Sequence, residues 1–120
     1  LTTEPPGPHA YGRIVKNQQG EILKIVEHWD ATEAERNIME INTGIYCVDT
    51  PFLFSALAQV KNDNQQKEYY LTDIVEIARR DGQKVHAFLT ADYVEVMGIN
   101  TFEELRKAGE HLRKSTSSQV

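Results

Sequence analysis

Two polar residues lie where the surrounding apolar pattern indicates strands. Glu27 follows Ile25 and Val26 at the end of one predicted strand, and a carboxylate there can accept charge-assisted hydrogen bonds from paired hydroxyl groups, as in a sugar. Asn42 interrupts the next strand-like run, although asparagine is disfavoured in strands. Its amide offers a donor and an acceptor, which also suits a sugar hydroxyl. The alternatives are a solvent-facing glutamate, which the pattern alone favours, and an asparagine that bonds its own backbone.

Three further residues lie at the starts of predicted elements. Gly12 opens a strand after a loop, where glycine lets a ligand or another backbone approach the main chain closely. The alternative is a simple bend at the strand start, which the pattern alone favours. Tyr70 and Thr72 lie at the start of a predicted helix, where amides and a hydroxyl can reach a sugar or phosphate oxygen. Thr72 as an ordinary N-cap and Tyr70 as a core residue are the alternatives.

Asn100 precedes the last predicted helix. Its carboxamide oxygen is a hard ligand of the kind that magnesium prefers, and a helix-capping or loop asparagine before Thr101 is the alternative. Cys47 is most simply a small strand residue, and no residue is assigned a covalent catalytic role. The histidines lack the close spacing of a zinc site, at His9, His28, His86 and His111.

Size and charge limit the class of protein. The 120 residues are 40% hydrophobic and 26% charged, which is typical of one soluble globular domain. A net charge of -5 argues against a nucleic-acid polymer as partner. No apolar run approaches the ~20 residues that span a bilayer, and a single cysteine fits a reducing compartment, so a cytoplasmic location without a membrane is expected. Leu1 in place of Met suggests that the chain begins inside a longer gene product.

Alternating strands and helices must position these residues, which predicts an α/β fold. The predicted strands are residues 1–4, 12–16, 21–28, 41–48 and 84–89, with a hairpin turn at 17–20. Capping residues predict helix starts at Thr32, Asp49, Thr72 and Thr101. Gly82 is the predicted stop of the third helix, and residues 115–120 are expected to form a flexible tail.

Five segments in order resemble one known family. They are Tyr11-Gly12-Arg13-Ile14, Ile25-Val26-Glu27-His28, Glu40-Ile41-Asn42-Thr43-Gly44-Ile45, Glu68-Tyr69-Tyr70-Leu71-Thr72-Asp73 and Gly98-Ile99-Asn100. Together they are similar to the uridyltransferase domain of the bifunctional N-acetylglucosamine-1-phosphate uridyltransferase/glucosamine-1-phosphate acetyltransferase. The resemblance implies part of a Rossmann-like nucleotidyltransferase domain with a mixed sheet, of which residues 1–114 are the C-terminal, sugar-binding half. The family's glycine-rich triphosphate loop and hexapeptide repeats have no counterpart in this sequence.

The resemblance also implies a reaction. UTP and N-acetylglucosamine-1-phosphate give UDP-N-acetylglucosamine and pyrophosphate, with Mg²⁺, in bacterial cell wall biogenesis. The substrate-binding residues that it implies are Gly12, Glu27, Asn42, Tyr70, Thr72 and Asn100. Asn100 is also the implied metal ligand, shared with an aspartate of the missing N-terminal half. Two alternatives remain: another sugar-1-phosphate nucleotidyltransferase, and a non-catalytic module for sugar-phosphate binding or assembly.

The same resemblance predicts the behaviour of the chain by itself. Without the nucleotide grip of the N-terminal half, the chain is expected to be inactive. Cut from a shared sheet, it should expose an unpaired strand edge and an apolar patch, which favour self-association. The expected contributors are Ile41, Ile45, Val48 and one face of the helix over residues 52–57.

Overall fold

The computed structural model describes residues 1–7 and 9–117, and within them one sheet of five strands. The strands are β1 Thr2–Thr3, β2 Arg13–Lys16, β3 Ile22–Val26, β4 Ile41–Asn42 and β5 Leu89–Thr90. Their order across the sheet is β3-β2-β4-β1-β5. β1 and β5 run parallel, whereas the other neighbouring pairs are antiparallel. The predicted α/β class with a mixed sheet is therefore confirmed.

Four α-helices accompany the sheet in the described residues. They are α1 Glu33–Arg36, α2 Thr50–Leu57, α3 Asp73–Arg80 and α4 Phe102–Ser117, with a 3-10 turn at Val94–Val96. Thr32 and Glu35 form the predicted capping box at the start of α1. The carboxylate of Asp49 accepts a hydrogen bond from the amide of Phe52 at 2.9 Å, so the predicted cap of α2 is confirmed.

Two strands are much shorter than the sequence predicts. The run 41–48 leaves the sheet after Asn42, because the side-chain oxygen of Asn42 accepts the amide of Gly44 at 3.1 Å. Gly44 has a φ of 79°, so this local turn suits glycine and ends the strand. The run 84–89 pairs only from Leu89. Helix α4 continues to Ser117, where a tail from 115 was expected, and residues 118–120 lie outside the described part.

Helices α2 and α3 cover one face of the sheet. Helix α3 packs against β3 and α2, and its buried side chains are those of Ile74, Val75, Ile77 and Ala78. The main core cluster consists of Ile14, Ile22, Ile25, Ala56, Ile74, Val75 and Ile77. This packing is what brings the end of β3 beside the start of α3, and it thereby positions the candidate site.

Apolar side chains remain exposed, although not all of those expected. Ile41 is 2% exposed, because it lies in the middle of the sheet between β1 and β2, so its predicted place on an exposed patch is wrong. Ile45 and Phe54 are 52% and 68% exposed. Self-association through such residues stays a prediction. Among the described residues, no helix combines the length and apolar character needed to cross a membrane.

Candidate functional site

Glu27 and Thr72 meet across 45 residues of chain. The hydroxyl of Thr72 donates a hydrogen bond to Oε1 of Glu27 at 2.9 Å. Thr72 is buried and occupies the N-cap position of α3, yet its side chain makes no capping hydrogen bond. Glu27, which directly follows β3, is half-buried. The threonine therefore orients the carboxylate instead of capping the helix.

Gly12 lies directly against this carboxylate. A Cβ atom at Gly12 would lie 3.0 Å from Cγ2 of Ile25 and 3.4 Å from each carboxylate oxygen of Glu27. The Gly12 carbonyl accepts the amide of Asn42 at 2.9 Å. The sequence left a bend and a close approach open for Gly12. In the structure the side chains of Ile25 and Glu27 approach Gly12, so the approach of a ligand or another backbone stays a prediction. Gly12, Glu27, Thr72 and Asn42 form one group, called here the Glu27 cluster.

Tyr46 is a neighbour of the Glu27 cluster that the sequence did not single out. Its hydroxyl oxygen is buried and makes no hydrogen bond of ordinary geometry, although Asn42 lies close enough to influence it. Burial raises the pKa of Tyr46, Asn42 lowers it and the charge of Glu27 raises it. A buried hydroxyl without a partner costs free energy, and a ligand oxygen can relieve that cost. The aromatic residue four positions after Asn42 was its one signal in the sequence.

Tyr70 lies at the side of a cavity of about 560 Å³ that also contains Glu27. Its hydroxyl accepts the side-chain amide of Gln66 at 2.9 Å, and burial raises its pKa. Asn42 and Tyr46 line a second cavity of about 310 Å³ instead. Asn100 lines neither of these two cavities. The six predicted residues therefore do not share one pocket.

The larger cavity is acidic. Its lining includes five carboxylates and two basic side chains, at Glu27, Asp30, Asp63, Asp73, Glu76, Lys61 and Arg80. Burial raises the pKa of Asp73, and the charges of Glu76, Glu27 and Asp30 raise it further. Like charges at this density repel a phosphate. The cavity therefore suits neutral hydroxyl groups better than a phosphate.

Asn100 lies beside the residue that precedes Gly12. The hydroxyl of Tyr11 donates to the carbonyl of Gly98 at 3.3 Å. A Cβ at Gly98 would lie 3.1 Å from that hydroxyl and 3.6 Å from the side-chain nitrogen Nδ2 of Asn100. Burial, with Tyr93 next in effect, raises the pKa of Tyr11 to about 12. The backbone amide of Asn100 donates to Oε2 of Glu104 at 2.7 Å, so the backbone of Asn100 takes part in capping α4.

The described residues offer little else to a metal ion. They contain no group of three or more histidine, cysteine, aspartate or glutamate side chains arranged to hold one. The carboxamide oxygen of exposed Asn100 has the right chemistry for Mg²⁺. In a metal site this oxygen can serve as one ligand, and the other ligands would have to come from substrate, water or other residues. A metal role for Asn100 therefore stays a prediction.

A second polar group consists of His9, Arg13, His28 and Arg36, of which Arg13 and His28 adjoin Gly12 and Glu27 in sequence. Burial lowers the pKa of His9, and the charges of Arg13 and His28 lower it further. Burial also lowers the pKa of His28, with Arg13 and Arg36 adding to the effect. Folding therefore favours the neutral form of both imidazoles, that of His9 beside the guanidinium of Arg13 and that of His28 beside those of Arg13 and Arg36.

Mild acid should destabilise the fold through these two histidines. Because each pKa is lower in the folded chain than its ordinary 6.5, the unfolded chain binds protons first as the pH falls. The contribution of the two neutral histidines to the free energy of unfolding is complete above about pH 7 and is lost as the pH drops below about 6.5. Urea unfolding across this range should show the decline, and the variant His9→Gln/His28→Gln should flatten it. The same flattening in His86→Gln/His111→Gln, two exposed positions, would contradict the assignment.

The fold and the Glu27 cluster define a class before any relative is considered. The chain is an α/β unit with a mixed sheet, compatible with part of a Rossmann-like domain, and it carries a polar cluster suited to hydroxyl groups. No family model matches it. Curated relatives do: it is 50% identical to the "Bifunctional protein GlmU" of Oceanobacillus iheyensis, 53% to that of Brevibacillus brevis and 54% to that of Geotalea uraniireducens.

These alignments cover 99%, 95% and 94% of this chain but only 26%, 25% and 25% of the relatives. The chain is thus homologous, along nearly all of its length, to one segment of the bifunctional GlmU proteins. The resemblance drawn from the five sequence segments is confirmed. The chain spans about a quarter of the length of the relatives that it matches.

Proposed function

We propose that this chain forms the sugar-phosphate-binding part of a bacterial transferase that makes UDP-N-acetylglucosamine. The reaction is transfer of uridylyl from UTP to N-acetylglucosamine-1-phosphate with release of pyrophosphate, in the cytoplasm, on the way to peptidoglycan. Homology to GlmU proteins over nearly the whole chain supports the reaction. The observation that carries the site is the contact of Thr72 with Glu27 directly against Gly12.

Each member of the Glu27 cluster has a role in this proposal. Glu27 accepts hydrogen bonds from sugar hydroxyls, and Thr72 fixes the direction of its carboxylate. Gly12 leaves room for the sugar to approach the main chain, as its lack of a Cβ allows. Asn42 and Tyr46 offer an amide and a hydroxyl from the neighbouring cavity. Tyr70 forms the side of the acidic cavity, and the phosphate of the ligand points away from that cavity.

The chemistry itself needs mainly position and charge neutralisation. A phosphate oxygen of the sugar phosphate attacks the α-phosphorus of UTP in line, and no covalent intermediate with this chain is involved. Mg²⁺, when bound, offsets negative charge on the phosphates. Asn100 contributes one oxygen ligand to it, and the triphosphate is held by residues outside this chain. The chain's own task is to hold the sugar so that its phosphate is correctly aimed.

A graft into a relative tests the proposal. In the Brevibacillus brevis protein, the segment that matches at 53% identity is replaced by this chain. We expect Mg²⁺-dependent pyrophosphate release from UTP and N-acetylglucosamine-1-phosphate by the graft, and none from the 120-residue chain alone, which lacks a glycine-rich triphosphate loop. Asn100→Ala in the graft should raise the Mg²⁺ concentration that gives half-maximal rate, whereas the exposed loop change Asn62→Ala should not.

Other outcomes would replace the proposal with its alternatives. A clear preference of the graft for glucose-1-phosphate would make the chain part of another sugar-1-phosphate nucleotidyltransferase. A folded graft that binds the sugar phosphate without turnover would favour a non-catalytic binding module. Turnover by the isolated chain would contradict the assignment of the triphosphate grip to residues outside it.

A further inference from the structure

Arg13 is a buried cation without an acidic partner among the described residues. It is 3% exposed, and none of the ion pairs that the structure shows includes it. Burying an isolated charge is costly unless hydrogen bonds satisfy it. Burial accordingly lowers the pKa of Arg13, with the charge of Arg36 adding to this. A cation buried at this cost in free energy is expected to make specific hydrogen bonds that offset the cost.

Arg13 makes hydrogen bonds to backbone carbonyls from separate parts of the chain. The guanidinium donates to the carbonyls of Tyr11, His9 at 3.1 Å and Arg36 at 3.4 Å. It also lies 3.4 Å from Nδ1 of His28. Arg36 in turn donates from its side chain to the carbonyl of His28 at 3.2 Å. Two arginines thus tie together the loop before β2, the end of β3 and the end of α1.

The tied residues adjoin the Glu27 cluster in sequence. Tyr11 directly precedes Gly12, and His28 directly follows Glu27. Because Tyr11 and His28 flank these two residues, a shift of either end is expected to alter the spacing between the Gly12 backbone and the Glu27 carboxylate, whose oxygens a Cβ at Gly12 would approach to 3.4 Å. A planar guanidinium with five donors can reach several carbonyls at once, and a lysine ammonium cannot hold the same set.

We propose that Arg13 is a positioning residue: through the carbonyls of His9, Tyr11 and Arg36 it fixes Gly12 relative to Glu27, and so sets the affinity for the sugar part of the substrate. The identity of the ligand rests on the proposed function, whereas the positioning of Gly12 by Arg13 does not. The proposal differs from a general stabilising role because it predicts a local effect at the Glu27 cluster.

Arg13→Lys tests the positioning without any ligand. We expect faster hydrogen exchange at the amide of Asn42, which donates to the Gly12 carbonyl, by about tenfold or more. The amide of Asp81, which donates to Ile77 at the end of α3, should exchange as before. The matched control is Arg106→Lys on exposed α4, where neither amide should change. Equal acceleration at both amides would reduce Arg13 to a general stabilising role and overturn the proposal.

The graft supplies the second readout. Arg13→Lys there should raise KM for N-acetylglucosamine-1-phosphate about tenfold while kcat and KM for UTP stay unchanged. Local loosening without a change in that KM would also overturn the proposal. If the unmodified graft does not use the sugar phosphate, the proposed function fails, and the exchange result alone then decides the positioning. If Arg13→Lys does not fold, His28→Ala removes one partner of the guanidinium and should give the same local pattern more weakly.

Discussion

Glu27→Gln in the graft should raise KM for N-acetylglucosamine-1-phosphate by about ten- to a hundredfold and leave KM for UTP unchanged. Glutamine keeps an oxygen for the hydroxyl of Thr72 but removes the charge that strengthens hydrogen bonds from the sugar. A hydrogen bond to a charged group is stronger than a neutral one by roughly 1–1.5 kcal/mol, and the loss of this difference at two paired sugar hydroxyls corresponds to about this range. Steady-state kinetics with each substrate varied in turn gives both constants.

Glutamine is preferable to alanine at this position because it separates recognition from stability. Alanine would leave the buried hydroxyl of Thr72 without its partner, at a cost of about 1–3 kcal/mol in the free energy of unfolding. The control is Glu33→Gln, an exposed glutamate in the first turn of α1. An unchanged KM for the sugar phosphate in Glu27→Gln would remove Glu27 from the site.

Local signals in the sequence were sufficient for the capped starts of α1 and α2 and for the hairpin between β2 and β3. Thr32 with Glu35 and Asp49 before Pro51 are short-range patterns, and the structure has both caps as predicted. Strand lengths were not predictable in the same way. The run after Asn42 has apolar residues at strand-like positions, but the turn at Gly44 takes the chain out of the sheet. A local hydrogen bond thus prevailed over strand propensity.

The candidate site depends on contacts that no spacing rule gives. Thr72 was predicted as an N-cap or a ligand contact, and its hydrogen bond to Glu27 arises only because α3 packs against β3. Arg13 attracted no attention in the sequence, since a basic residue at the start of a strand is ordinarily exposed. Its importance follows from its burial and from its hydrogen bonds to three carbonyls, two in the loop before β2 and one at the end of α1.

Gly12→Ala should both destabilise the fold and disturb the sugar site. The new methyl group would meet Cγ2 of Ile25 at 3.0 Å, and Ile25 is held in the core cluster, so the strand cannot yield easily. Overpacking of this kind costs about 1–3 kcal/mol in the free energy of unfolding. The matched control is Gly109→Ala in α4, where the nearest atom would be 3.9 Å away. That change should stabilise by about 0.5–1 kcal/mol, as alanine does in a helix interior.

The effect on the site should be coupled to Glu27. The same methyl group would be in van der Waals contact with both carboxylate oxygens at 3.4 Å, so Gly12→Ala is expected to fill space through which the sugar reaches the carboxylate. Once Glu27→Gln has removed the charge of the carboxylate, less sugar binding remains for Gly12→Ala to weaken. The rise in KM for the sugar phosphate in the double variant should therefore be well below the product of the two single rises. Fully multiplicative effects would mean that Gly12 acts on the ligand without Glu27, and that the close approach of these two residues has no part in recognition.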